Sequence, residues 1–278
     1  MRSAVFRLRR RFPGRNRGDR VKLRFLGTGT SFGIPVIGCD CGTCTSSDPR
    51  DRRMRHGALV EEDGRRLLVD TPPELRLQLV AARVSSVDAI WFTHCHADHI
   101  HGLDDVRVFS EHSRCDMQVY ASPECTATLR ERFAYIFDTR IRPLAGTSKP
   151  EARLTTVHEY QPVQIAGFDV LPLPVPHGLM EVYGFRIGAL GYITDGKSLP
   201  PRTLEALRGV RVLVLNALWF GRPHPTHFSV EEAVEAARAV GAERTYLTHM
   251  SHRVSHAELN ARLPEGVYAA YDGLEVEV

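Results

Sequence analysis

No apolar run in the chain approaches the roughly 18 to 20 residues that a membrane span requires. The longest apolar stretches, such as "VRVLVLNALWF", have the length of buried strands. There is no low-complexity linker between residues 21 and 278, so composition gives no place to divide the chain. The opening "MRSAVFRLRRRFPGRNRGDR" lacks the apolar stretch and small-residue cleavage site of a secretory signal. Net charge is also scarce once that opening is set aside. Its eight arginines face one aspartate, and without it the formal charge moves from +3 to about −4, which gives no electrostatic basis for a long nucleic-acid footprint. No Ser-x-x-Lys motif is present to support serine β-lactam chemistry.

What remains is the composition of a globular protein, with 43% hydrophobic residues, enough for a sizeable core. Residues 1–20 are expected to form an arginine-rich disordered leader and residues 21–278 a single domain. Six cysteines without an export signal point to a reducing, cytoplasmic setting, where clustered thiols bind metal more often than they form disulfides. Cys39, Cys41 and Cys44 form the tight group "CDCGTC". Cys95, Cys115 and Cys125 are scattered and read as buried or inert side chains.

Apolar patterning predicts strands in "VKLRFLGTG", "VDAIWFTH", "DMQVYA", "FDVLPLPVPHG", "EVYGFRIGALGYITDG", "VRVLVLNAL" and "RTYLTH". "RRLLVDTPPELRLQLVAA" reads as a strand, a Thr-Pro-Pro turn and an amphipathic helix, and further helices are expected in "IHGLDDVRVFS", "SPECTATLRERFAYIF", "LPPRTLEALRG" and "SVEEAVEAARAVGA". Mixed elements in this order predict a layered α/β architecture. His94, His177, Asp195 and His249 each fall where a predicted strand ends, as residues sharing one crevice would.

"FTHCHADHIHGL" concentrates four histidines and Asp98 within eight positions. At His-x-His spacing on a loop, two imidazoles can converge on one ion, and Asp98 and His99 at a helix start can face a second. Imidazole suits zinc, iron or manganese, and carboxylate draws toward the harder of these. His101, one residue into the helix, is expected at most to support the others.

"THCHADH" resembles the defining motif of the metallo-β-lactamase fold hydrolases, and "PVPHG", "ITDG" and "YLTHMSH" follow in the order that family would require. The resemblance implies an αββα sandwich with two divalent ions, zinc or manganese, at the strand ends. It implies one ion on His94, His96 and His177, a second on Asp98, His99 and His249, and Asp195 between them. "GTGTSFGIPVIGCDCGTC" is similar to the start of the phosphoribosyl cyclic phosphodiesterase (PhnP-like) branch of the carbon–phosphorus lyase pathway. That branch carries a structural zinc, here implied on Cys39, Cys41, Cys44 and His252. "HPTHFSVEEA" resembles the stretch that places a histidine before a Ser/Thr-x-Glu-Glu-Ala helix in the ribonuclease Z and cyclic-phosphodiesterase branches. This gives His227 the part of proton donor to a leaving oxygen and His224 a lesser place in the same loop.

The resulting expectation is a two-metal phosphodiesterase acting on a small, cyclic ribose-type diester through a hydroxide generated between the ions, with Asp98 orienting that hydroxide. The alternatives are a ribonuclease Z-like tRNA-processing enzyme, a thiol-ester hydrolase on the same fold, and a non-catalytic metal-binding scaffold. A nucleic-acid partner is admitted but not favoured. The only arm-like stretch, "DTRIRPLAGTSKPEAR" (138–153), is short and reads as a rim loop. No membrane partner is expected, and a homodimer is allowed.

Overall fold

In β1 (Lys22–Gly27), β2 (Gly57–Glu62) and β3 (Arg65–Val69), apolar side chains occupy both faces of the strand. Leu23, Phe25, Val60, Leu67 and Val69 enter one core, while Leu26, Leu59 and Leu68 enter another on the opposite side. Side chains alternate with a period of two, so a strand apolar at every position must be covered on both faces. That requirement generates the layering in the computed structural model, which describes residues 21–113 and 115–278. The arginine-rich leader expected over 1–20 lies outside the described residues.

The first sheet continues with β4 (Ala89–Trp91), β5 (Met117–Ala121) and β6 (Ala152–Thr156). The second contains β7 (Val163–Ile165), β8 (Phe168–His177), β9 (Met180–Ile187), β10 (Leu190–Tyr192), β11 (Val212–Asn216), β12 (Arg244–Thr248) and β13 (Val267–Ala269). The last strand, β14 (Glu275–Glu277), returns to pair antiparallel with β1. The strand orders are β14-β1-β2-β3-β4-β5-β6 and β13-β12-β11-β10-β9-β8-β7. Pairing is parallel from β3 to β6 and from β10 to β13.

The core between the sheets takes residues from both, including Phe25, Trp91, Phe168, Phe185 and Tyr246. Trp91 crosses it: its ring meets Phe185 edge-on at 5.8 Å and its indole N–H donates to the Tyr183 carbonyl at 2.9 Å. Burying such a side chain contributes about 1.5–3 kcal/mol, and the hydrogen bond fixes its orientation. Helices cover the outer faces. On the first sheet lie α1 (Leu75–Ala81), α2 (Ala97–Ile100), α3 (Arg107–Ser113), α4 (Pro123–Arg132) and α5 (Ala134–Phe137). On the second lie α6 (Pro201–Leu207), α7 (Val230–Val240) and α8 (His256–Arg262). The αββα sandwich is thus present. Among the described residues no helix is long and apolar enough to cross a membrane.

Three predicted elements are divided. "IHGLDDVRVFS" breaks at Gly102 into the end of α2, a 3-10 turn over Leu103–Val106, and α3. The break has a packing cause: a Cβ at Gly102 would collide with the Pro72 carbonyl oxygen, and the Gly102 amide donates to the Thr71 carbonyl. "SPECTATLRERFAYIF" breaks at Phe133, whose ψ of 39° leaves the helical region. "EVYGFRIGALGYITDG" folds back as the β9–β10 hairpin, with Gly188 at φ +53°.

Candidate metal centre

β8 runs in the same direction as β10–β13 in the second sheet, and β3–β6 run parallel in the first. The chain leaves these strands at one end of the sandwich, where open α/β sheets place their ligand crevices. His94 follows β4, His177 ends β8, Asp195 follows β10 and His249 follows β12 directly. His96 is the N-cap of α2, so Asp98 and His99 fall in that helix's first turn. Asp195 and His249 both sit at φ +56°, a left-handed conformation uncommon outside glycine that the surrounding packing must hold.

All seven residues meet. The ligand atoms of His94, His96 and His177 lie within 4.8 Å of one another, and so do those of Asp98, His99 and His249. Asp195 joins the groups: its Oδ2 is 3.6 Å from His94 Nε2 and 3.3 Å from His99 Nε2, and its Oδ1 is 3.3 Å from His249 Nε2. The Nε2 atoms of His99 and His249 are buried without a hydrogen-bond partner among the described residues. Buried polar atoms left unpaired cost about 1–3 kcal/mol each, so a convergent set of them fits a cation in the space they face. Burial pushes His94 well below its ordinary value and His249 down to about 4. Both therefore offer the neutral imidazole that a metal requires. Burial works against ionisation of Asp195, but His249 and His99 hold it well below the usual carboxylate range.

Partners behind the imidazoles orient them. The Thr226 carbonyl accepts from His177 Nδ1 at 3.1 Å. Asp70, fully buried, lies 2.7 Å from His99 Nδ1 and accepts from the Thr93 amide and hydroxyl at 2.8 Å each. The sequence reading did not single out Asp70. Its signal was available, since it ends the apolar strand "RRLLVD" as the other site residues end theirs, but no metal-like spacing surrounds it.

Cys39, Cys41 and Cys44 gather around His252, their sulfurs 3.2, 3.5 and 3.7 Å from its Nδ1. The Val36 amide donates to Cys44 Sγ at 3.3 Å. A hydrogen bond from the Cys44 backbone, working against burial, holds Cys41 down to about 6, while burial pushes Cys44 up to about 11. Three sulfurs and one imidazole nitrogen form the donor set of a closed tetrahedral zinc site.

His227 stands at the mouth of the main centre. Its Nδ1 is 2.8 Å from the Thr226 hydroxyl, and its Nε2, buried and without a hydrogen-bond partner among the described residues, lies 3.5 Å from Asp195 Oδ2. Its ring stacks on His249 at 4.9 Å. Two cavities, of about 610 and 380 Å3, share Ser31, His227 and His249 as walls. The larger runs toward Glu124 and Leu179, and the smaller toward Trp219 and Arg253, whose guanidinium lies 4.4 Å over the Trp219 ring. His224 touches His227 and Trp219 in the smaller cavity. His101 points away from the centre, exposed, with its ring against Phe133. None of residues 138–153 lines either cavity, so that stretch does not form the rim expected of it.

One further reading changes. Cys95 and Cys125, read from the sequence as separate inert side chains, are joined by a disulfide. The sequence gap of thirty residues hid the pair, which the packing of α4 beside the His94–His96 loop brings together. In addition, Gly29, Ser31 and Gly33 have the spacing of a nucleophile elbow. The segment leaves β1 as a turn with no helix directly after it, however, and among the described residues no hydrogen bond joins a histidine to the Ser31 hydroxyl.

The fold and this centre together describe a metal-dependent hydrolase of the metallo-β-lactamase type. Residues 65–250 match the beta-lactamase superfamily domain. A solved diphosphatase from the PhnP family is 40% identical, with a TM-score of 0.84 over 93% of this chain and 97% of that one. The chain belongs to the beta-lactamase superfamily, on its PhnP-family branch. Among curated relatives, a protein named octanoyltransferase from Porphyromonas gingivalis is 37% identical over 90% of the chain. The chain spans only half the length of that protein. A ribonuclease Z from Mycobacterium sp. (strain KMS) is 28% identical over 72% of the chain and 79% of its own length.

Proposed function

We propose that the chain, folded as one domain over residues 21–278 and working in the cytoplasm, is a dinuclear metal-dependent phosphodiesterase acting on a small diester. His94, His96 and His177 would hold one ion, Asp98, His99 and His249 the other, and Asp195 would face both. Cys39, Cys41, Cys44 and His252 would hold a structural zinc. When bound, the catalytic pair supplies an activated water at neutral pH and electrostatic stabilisation of phosphoryl oxygens. Asp98 orients the attacking water. His227, needed by neither ion, donates its proton to the departing oxygen, and Ser31 and the Thr226 loop shape the space around the phosphorus.

The observation that carries the phosphoester reading is His227: a buried, unpartnered Nε2 at the junction of two cavities, beside the metal-facing carboxylate. An attacked phosphorus at that junction would have a cavity on each side for its two substituents. The relative described as a diphosphatase favours a second reading, cleavage of a phosphoanhydride at the same centre. Transfer of an octanoyl group is not favoured, since that name belongs to a protein of which the chain matches half.

Zinc- or manganese-loaded protein should hydrolyse bis(p-nitrophenyl) phosphate and lose that activity to a chelator. His227→Ala should lose on the order of 10²-fold or more in kcat on a diester with an alkoxide leaving group. On the nitrophenyl ester, whose phenolate leaves with little help, the loss should be far smaller. Equal losses on the two substrates would remove His227 from the proton-donor role. Loaded protein inactive on every diester and diphosphate in a panel including cyclic ribose phosphates and a tRNA precursor would sink the phosphoester reading.

A further inference from the structure

Among the candidate ligands, His96 is the one whose side chain is exposed. His94 Nδ1 lies 3.1 Å from the Thr93 hydroxyl, His99 is held by Asp70 and His177 by the Thr226 carbonyl. His96 is exposed, and its one hydrogen-bond neighbour among the described residues is His94 itself, at 2.9 Å. What fixes its position is backbone. On one side it caps α2, the His99 amide donating to its carbonyl at 3.0 Å. On the other side stands Cys95, tied twice to α4: through the disulfide to Cys125, and through Arg132 Nη1 donating to the Cys95 carbonyl at 3.2 Å. Cys125 is a firm anchor, 3% exposed, with its amide donating to the Ser122 hydroxyl at the helix N-cap. Cys95 is only half-buried, and a cavity of about 180 Å3 opens beside the bond, bounded by His94, His96, Glu124 and Arg132.

We propose that the Cys95–Cys125 disulfide is a redox-sensitive positioning element for His96, so that the metal position formed by His94, His96 and His177 is strong when the bond is closed and weak when a dithiol opens it. This rests on the metal assignment proposed above. In opening, the dithiol delivers two electrons and two protons, the Sγ–Sγ bond breaks to two thiols, and the reductant closes into its own cyclic disulfide. Cys95 and His96 then keep the Arg132 contact, the weaker Cys95 Sγ contact to the Cys125 carbonyl at 3.3 Å and the α2 cap, but no covalent tie to α4. The position formed by Asp98, His99 and His249 is unaffected, because Asp70 and the α2 helix hold Asp98 and His99, and His249 is buried directly after β12 in the other sheet.

The test is zinc stoichiometry at a fixed, buffered free-zinc concentration. It compares oxidised protein, protein reduced with dithiothreitol and then desalted without oxygen, and Cys125→Ser. Thiol titration of the oxidised, denatured chain should find four of its six cysteines reactive, with the other two in the bond. Oxidised protein should retain near three zinc per chain. The reduced protein and the variant should each retain one fewer, with affinity for that ion down on the order of tenfold or more, and dithiothreitol should not alter the variant further. Equal zinc in all three forms would overturn the proposal, as would a parallel loss from every site accompanying a general drop in melting temperature. Oxidised protein that binds zinc only at the cysteine cluster would overturn the metal assignment itself, and this proposal with it.

Discussion

Asp70 shows how much of a metal centre lies behind its ligands. Its carboxylate takes three hydrogen bonds, two from Thr93 and one from His99, in a fully buried position at φ +62°. Its carboxylate fixes both the tautomer and the orientation of the His99 ring, an effect that second partners of metal-bound histidines exert generally. Asp70→Ala should therefore lower zinc affinity at the Asp98–His99–His249 position by about 10- to 100-fold, read by competition with a chromophoric chelator. Unchanged affinity would mean that the ring is held by its neighbours alone. The histidine cluster at 94–101 was legible because four residues of one chemistry stand side by side. Asp70 and the disulfide partners were not, because their meaning depends on what lies opposite them in space.

The segment that carries His227 is set by helix α7. Ser229 caps that helix, its hydroxyl accepting from the Glu232 amide at 3.2 Å, while the Glu232 carboxylate accepts from the Ser229 amide at 2.8 Å. Glu232 also receives Lys197 Nζ at 2.6 Å, tying the helix start to the segment after Asp195. Ser229→Ala should cost about 1 kcal/mol of stability, measured by urea unfolding. It should also reduce turnover while changing zinc content little, because His227 lies two residues upstream, whereas His177 alone among the proposed ligands touches this segment, through the Thr226 carbonyl. Loss of stability with turnover intact would separate the cap from the site. This helix was readable from the Ser-x-x-Glu signature and from Gly241 at its end, which adopts φ +75°. Strands β2, β6, β7, β13 and β14 and helix α8 were not read. Several are three residues long, too short for a period to declare itself, and their existence depends on the neighbouring strand that pairs with them.

Across the whole molecule, Asp272 joins the two ends of the chain. It accepts from the Thr28 amide and hydroxyl and from the Met54 amide, and burial pushes its carboxyl from 3.8 up to about 6. A carboxyl raised on folding binds its proton more tightly in the native state. Its contribution is therefore full below pH 4 and is lost as pH rises through 6. The stability difference between wild type and Asp272→Asn, which carries no titrating group there, should shift against the wild type by about 2 kcal/mol between pH 4 and pH 7. Urea unfolding of both proteins across that range checks it, and a difference that stays constant with pH would place the Asp272 pKa near its ordinary value.

By itself the sequence determined which residues carry the chemistry and which segments must be buried, because ligand type and hydrophobic period are local properties. Tertiary structure alone decided the rest. It put β8, β10 and β12 in one direction, so that His177, Asp195 and His249 reach one point. It stapled Cys39, Cys41 and Cys44 to His252 across some two hundred residues of chain. It also set Cys125 against Cys95 and Asp70 behind His99. Such contacts form only when two layers pack face to face, and no spacing along the chain encodes the distance between layers.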